Sequence, residues 1–165
     1  MIEKGDLESE IEECLSEIAP RLGRDMPYFI PTSELHFDPI SVGVALAALM
    51  VAAYIRGFLK EAENQAESAG SDTFIWLRRN IGKLFSREDH SSKDDGAQEL
   101  HNLTSEAVTK VAKMSEEEVT QAHDSMERCL ADELQIAWSI PHNRAVKISV
   151  IVHDQVTLLI RHSAD

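Results

Sequence analysis

Glycine, cysteine, aromatic residues and basic charge are all in short supply in this sequence. There are seven glycines in 165 residues, and no GxxxxGK[ST], GxGxxG or GxSxG pattern. Backbone cradles for phosphate and a hydrolase-type nucleophile elbow are therefore not indicated. The two cysteines, Cys14 and Cys129, form no CxxC and no Cys/His zinc spacing. Neither a disulfide framework nor a metal knuckle is expected, and a reducing compartment fits. Aromatic residues make up 5% of the chain, so its core must be built mainly of Ala, Val, Ile and Leu. Such cores are usually helical. Sixteen basic residues face 29 acidic ones, for a net charge of −13. Phosphate binding needs a concentrated cationic footprint, which argues against nucleic acid as a partner. Residues 1–18 are acidic rather than a basic start followed by an apolar run, and no lipidation motif marks either end. The cytoplasm is the expected compartment, with membrane association as the alternative.

The charge that is present comes in blocks. Residues 1–38 hold ten acids and three bases, and residues 88–135 hold thirteen and four. Between them, residues 39–87 are mildly basic, with four acids and six bases. Acidic blocks of this kind are either solvated helix faces or a surface that selects a basic protein. Glu116 and Glu117, in the second block, are candidates for that surface.

The apolar residues concentrate in ISVGVALAALMVAAYIRGFL, residues 40–59. Ile40 to Ile55 is sixteen residues without a charge, five of them Ala. A membrane span needs about 20 apolar residues, and reaching that length takes in Arg56. The first reading is a buried helix of a soluble bundle. Its Gly43, Ala45, Ala47, Ala48, Ala52 and Ala53 would let neighbouring helices approach closely. The rival reading is a conditional membrane element. Residues 72–85 then follow as an interfacial helix in which Trp76 and its neighbours combine with Arg78, Arg79 and Lys83. Leu46, Leu49, Met50, Trp76, Arg78 and Arg79 are the residues that would carry either role.

Hydrophobic spacing places helices along most of the chain. Leu7, Ile11, Cys14, Leu15 and Ile18 form one stripe, closed by Pro20. Tyr28–Ile30 and Leu35–Phe37 read as short extended pieces. Asp38-Pro39 starts the long apolar helix, which runs to about Ala69 and stops at Gly70. Phe74, Leu77, Ile81, Leu84 and Phe85 mark the next helix, capped by Ser71 or Asp72. Residues 86–98 have no apolar residue before Ala97 and read as a flexible linker. Leu100, Leu103, Ala107, Val111 and Met114 form another stripe. Ser115–Glu118 is a capping box that opens a fresh helix with Val119, Ala122, Met126, Leu130 and Leu134 inward. AVKISVIV and VTLLI then read as two strands joined at His153-Asp154-Gln155, because that register puts the apolar residues on one face.

The expected fold is α+β: an α-rich bundle of four to five helices with a C-terminal antiparallel β-hairpin. Residues 1–85 hold the acidic helix and the hydrophobic helix pair, and 86–98 are the linker. Residues 99–165 hold the acidic helices and the hairpin, packed with the first part as one compact domain. The hairpin edge, with Lys147, Ser149, Ile151, Leu159 and Arg161, is expected to pair with a second copy or a partner strand. Of seven histidines, His123 stands i,i+4 from Glu127 with Asp124 adjacent. That spacing suits a pair of metal ligands, but no second pair matches it, so no metal, cofactor or catalytic residue is assigned. The leading function is a non-enzymatic interaction module: an adaptor, neutraliser or accessory subunit, forming a homo-oligomer and binding another, basic protein. A membrane-associated protein acting through residues 40–85 comes second. A small enzyme or metal-binding protein built on scattered His and acidic residues comes third.

Overall fold

The computed structural model describes residues 4–29, 39–62, 66–85 and 93–164. Among them are six long helices, one short helical turn and no strand. The helices are α1 (Lys4–Arg24), α3 (Pro39–Ala62), α4 (Ala66–Phe85), α5 (Lys93–Val111), α6 (Glu116–Trp138) and α7 (His142–Ala164). The turn is α2 (Met26–Phe29).

The apolar run becomes α3, with Pro39 at its first position as the fixed proline φ favours. It is hydrophobic on nearly every side, and a helix of that kind must be enclosed. Helices α1, α4, α5, α6 and α7 all pack on it. Leu46, Met50, Tyr54, Ile55 and Phe58 are buried to 1% exposure or less, and Leu49 is half-buried. Burying each large apolar side chain stabilises the fold by about 1.5–3 kcal/mol. Small residues set the distance of approach. A Cβ on Gly57 would stand 2.1 Å from Cε of Met126, so a larger residue there would force the end of the Met126 side chain to move.

The C-terminal hairpin is not there. Residues 142–164 form a single helix, and the proposed turn at His153-Asp154-Gln155 lies in its middle. The same residues fit both patterns, because β-branched side chains crowd this segment. Ile148, Val150 and Val152 alternate as a strand would. Ala145, Ile148, Val152, Val156 and Leu159 follow helical spacing, and all five are buried. Packing decides between the two. Helix α7 lies against α1, α3, α5 and α6, which demands a stripe and leaves Val150 and Leu158 outside. With no sheet edge, Lys147 and Arg161 guard nothing, and strand-edge pairing of two copies falls with the hairpin.

Other expectations are corrected in the same way. Among the described residues there are six long helices, not four or five. Helix α1 continues through Pro20 to Arg24, because Ile18 and Leu22 on either side of it are fully buried. Tyr28 and Phe29 belong to the helical turn α2, and residues 30–38 lie outside the described residues. Helix α3 ends at Ala62, and Gly70, Ser71 and Asp72 lie inside α4 rather than at a break. A mid-helix glycine costs about 1 kcal/mol. Burial of Thr73, Phe74, Leu77 and Ile81 in the turns that follow offsets that cost. Of the linker, 86–92 lie outside the described residues, and Lys93 already belongs to α5.

The break at Ser115 stands as read. The Ser115 hydroxyl accepts the Glu118 N–H at 3.1 Å, and the Glu118 carboxylate accepts the Ser115 N–H at 3.4 Å. Helix α6 ends at Ser139, in the left-handed region at φ 56°. Ile140 N–H then reaches back to the Leu134 carbonyl at 3.3 Å.

Two substitutions test this arrangement. Gln155→Pro would be harmless in a hairpin turn but removes a hydrogen bond in mid-α7. Denaturant unfolding should show a loss of about 3 kcal/mol or more. Ala52→Asp places a charge at a 5%-exposed contact of α3. A loss of several kcal/mol, or insoluble protein, is the expected outcome.

Candidate functional site

The residues with the richest chemistry meet where α6 and α7 lie side by side over α3. On α6, His123 points inward, whereas Asp124 is exposed and Glu127 half-buried. His153 arrives from α7 and Tyr54 from α3.

His123 is 4% exposed and stacks against Phe58 with ring centroids 4.6 Å apart. Its Nδ1 lies 2.7 Å from the Tyr54 hydroxyl, which also reaches the His123 carbonyl at 3.1 Å. One arrangement of protons satisfies both contacts. Nδ1–H donates to the Tyr54 oxygen, and Tyr54 O–H donates to the carbonyl. Burial pushes His123 down to about 4. His153 adds to that effect, Asp124 opposes it, and Arg161 adds a smaller push downward. Burial, with Glu127, Asp124 and Asp154 nearby, raises Tyr54 and keeps its proton in place. The pair is therefore a neutral polar clamp between α3 and α6.

His153 covers the outer side of this clamp, its ring edge-on to His123 at 5.5 Å. Its Nδ1 lies 3.2 Å from Asp154 and 3.6 Å from Glu127, and its Nε2 lies 3.8 Å from Asp124. One ligand atom each from Asp124, Glu127 and His153 fall within 4.8 Å of one another. One imidazole and two carboxylates are a donor set that a metal ion can use. Below them a groove of about 300 Å³ runs along the α6–α7 seam, lined by Glu127, Arg128, Asp132, Gln135, His142 and Ser149 among others.

The residues singled out in the sequence are dispersed by comparison. Lys147 and Arg161 are exposed on α7, Ile151 is half-buried, and Leu159 is buried. Ser149 is buried too, its hydroxyl donating to the Val146 carbonyl at 2.9 Å. Glu116 and Glu117 are exposed in the first turn of α6. Leu46 and Met50 are core. Trp76 is half-buried under the Arg56 guanidinium, 4.3 Å from its ring centre, and Arg56 also pairs with Glu99 of α5. Arg79 is exposed, and Arg78 bonds to Glu133 of α6. Burial pushes the Cys14 thiol up to about 12 and raises Cys129 as well, so neither is poised as a nucleophile.

Compared with protein-family models, curated proteins and solved structures, the chain matches none of them.

Sequence reading reached His123, Asp124 and Glu127 but not their partners. Tyr54 is 69 positions from His123, and nothing local in the sequence ties the two together. The i,i+4 relation, from which no metal site was assigned, does not mark a shared ligand set. His123 and Glu127 do not converge on one ligand, because the first turns into the core while the second stays at the seam.

The clamp has a pH signature. His123 is neutral when folded down to about pH 4, whereas unfolded histidine takes up a proton near pH 6.5. Between those values the unfolded chain binds more protons. The contribution is therefore complete above about pH 6.5 and lost as pH falls toward 4, by at most about 3 kcal/mol. His123→Asn keeps a donor at the Nδ1 position without titrating. Denaturant unfolding at pH 7 and pH 5 should show a shallower loss of stability for the variant than for the wild type.

Proposed function

We propose that this protein is a non-enzymatic interaction module that recognises a basic segment of a partner protein along the α6–α7 face. The observation that carries the reading is the groove of about 300 Å³ at the seam, with Glu127 and Asp132 in its wall beside one cation, Arg128, on a chain of net charge −13. A field of that sign attracts and orients a cationic partner before contact, and suppresses acidic ones. The walls are helices fixed by the core, so little order has to be gained on binding. Exposed Glu116 and Glu117 at the start of α6 extend the acidic surface beyond the groove, and Ile136, 76% exposed, offers an apolar contact near its other end. An adaptor, neutraliser or accessory subunit would use such a face, and the cytoplasm is the compartment this reading assigns.

A membrane-associated state is the second reading, and α3 is what favours it. Among the described residues one helix, Gly43–Ala62, is long and apolar enough to cross a bilayer, and 67% of it is buried inside the fold. A membrane role therefore requires α3 to leave its partners. Flotation with liposomes at neutral pH separates the readings. The interaction module stays with the soluble fraction, and a conditional membrane protein floats.

The binding itself is tested with a fluorescent Lys/Arg-rich peptide followed by anisotropy. Asp132→Lys should weaken binding about tenfold, equivalent to about 1.4 kcal/mol. Added salt should weaken the wild-type interaction by screening. A variant that binds as well as the wild type contradicts the assignment.

A further inference from the structure

We propose that Asp124, Glu127 and His153 bind one divalent first-row transition-metal ion at the outer end of the α6–α7 seam. The site stands on its own geometry and does not depend on the recognition of a basic partner.

Spacing is the first argument. Asp124 and Glu127 are i,i+3 on α6, which places both carboxylates on one side of the helix. His153 projects toward them from α7, with Nε2 3.8 Å from an Asp124 oxygen and Nδ1 3.6 Å from a Glu127 oxygen. Both distances are too long for hydrogen bonds. The Nε2–Asp124 distance is close to the separation of neighbouring ligand atoms around one ion, about 3.0–3.5 Å when each metal bond is about 2.1 Å, and one ligand atom from each of the three residues lies within 4.8 Å of the others. Rotation of the exposed Asp124 and half-buried Glu127 side chains brings their carboxylates onto a common ion.

The orientation of the imidazole is the second. Asp154 Oδ1 lies 3.2 Å from His153 Nδ1 and accepts its proton. That contact leaves the lone pair on Nε2, the nitrogen that faces Asp124. A carboxylate that holds the far N–H of a ligating histidine is the recurrent outer support of metal sites.

Burial is the third. The His153 side chain is 19% exposed, Glu127 30% and Asp124 60%. The ring is held from behind by His123 and Tyr54, with centroids at 5.5 and 6.3 Å. Two ligands are thus partly ordered before an ion arrives, and the exposed Asp124 side leaves coordination positions for water.

The donor set selects the ion. Imidazole nitrogen suits zinc, cobalt, nickel and iron(II), whereas magnesium and calcium prefer all-oxygen shells. Two carboxylates and a neutral imidazole neutralise the ion's charge. Asp154, bonded to the ring, adds negative potential from outside the ligand set.

The test uses the full chain and Zn²⁺ in isothermal titration calorimetry, with Co²⁺ absorption in the visible as a second readout. The wild type should bind one equivalent of Zn²⁺ and give a Co²⁺ ligand-field spectrum that Zn²⁺ abolishes and millimolar Mg²⁺ does not. His153→Ala and, separately, the milder Asp124→Asn at an exposed position should each weaken Zn²⁺ binding tenfold or more while retaining the helical circular dichroism. Asp132→Lys, aimed at peptide recognition, should leave the Co²⁺ spectrum unchanged. The two proposals thus fail separately. Absence of Zn²⁺ binding overturns the assignment. So does Zn²⁺ that binds both ligand variants as tightly as the wild type, or Mg²⁺ that displaces Co²⁺ equally well.

Discussion

Enclosure of α3 is the constraint on which the other features depend. The helix carries more apolar surface than any single contact can cover, so five helices must close around it. Its small residues decide how near they come. The Met126 side chain of α6 packs over Gly57 of α3, and His123 of α6 meets the Tyr54 hydroxyl of α3. The polar clamp lies one turn away from that contact on both helices. Without that approach the two rings would not meet, and a buried histidine without its partner would destabilise the core.

The clamp in turn fixes the rotation of α6 about its axis. With His123 turned in, Asp124 and Glu127 emerge beside α7, and the groove continues from them along the seam. Other polar ties hold the flanking helices. Arg78 of α4 meets Glu133 of α6, and Arg56 of α3 meets both Trp76 of α4 and Glu99 of α5. Arg144 of α7 reaches Asp25, beyond the end of α1, at 3.1 Å. Ties that are partly exposed contribute little to stability, but they restrict which helix faces meet. The α6–α7 face is therefore positioned by what lies beneath it.

Much of the helical architecture could be read from the sequence, because stripe spacing and capping are local. The stripes of α1, α4, α5 and α6 were legible, as was the break at Ser115. Residues 142–164 were not, because Ile148, Val150, Val152, Val156, Leu158 and Ile160 satisfy a period of 2 almost as well as one of 3.6. Only the other helices, which need a stripe to pack against, break the tie. Pro20 and Gly70 show the converse. Each is a strong local stop signal, overridden by burial of residues beyond it. The site was legible only as far as it was local. His123, Asp124 and Glu127 stand together in the sequence, whereas Tyr54 and His153 join them through tertiary packing.

Native-state hydrogen exchange tests the enclosure of α3 most directly. Amides from Leu46 to Phe58 should exchange only through global unfolding. Their opening free energies should equal the stability measured by denaturant and fall in step with it when the protein is destabilised. If those amides exchange through local fluctuations while α6 and α7 remain protected, α3 is not the hub of the fold, and the account built on it is contradicted.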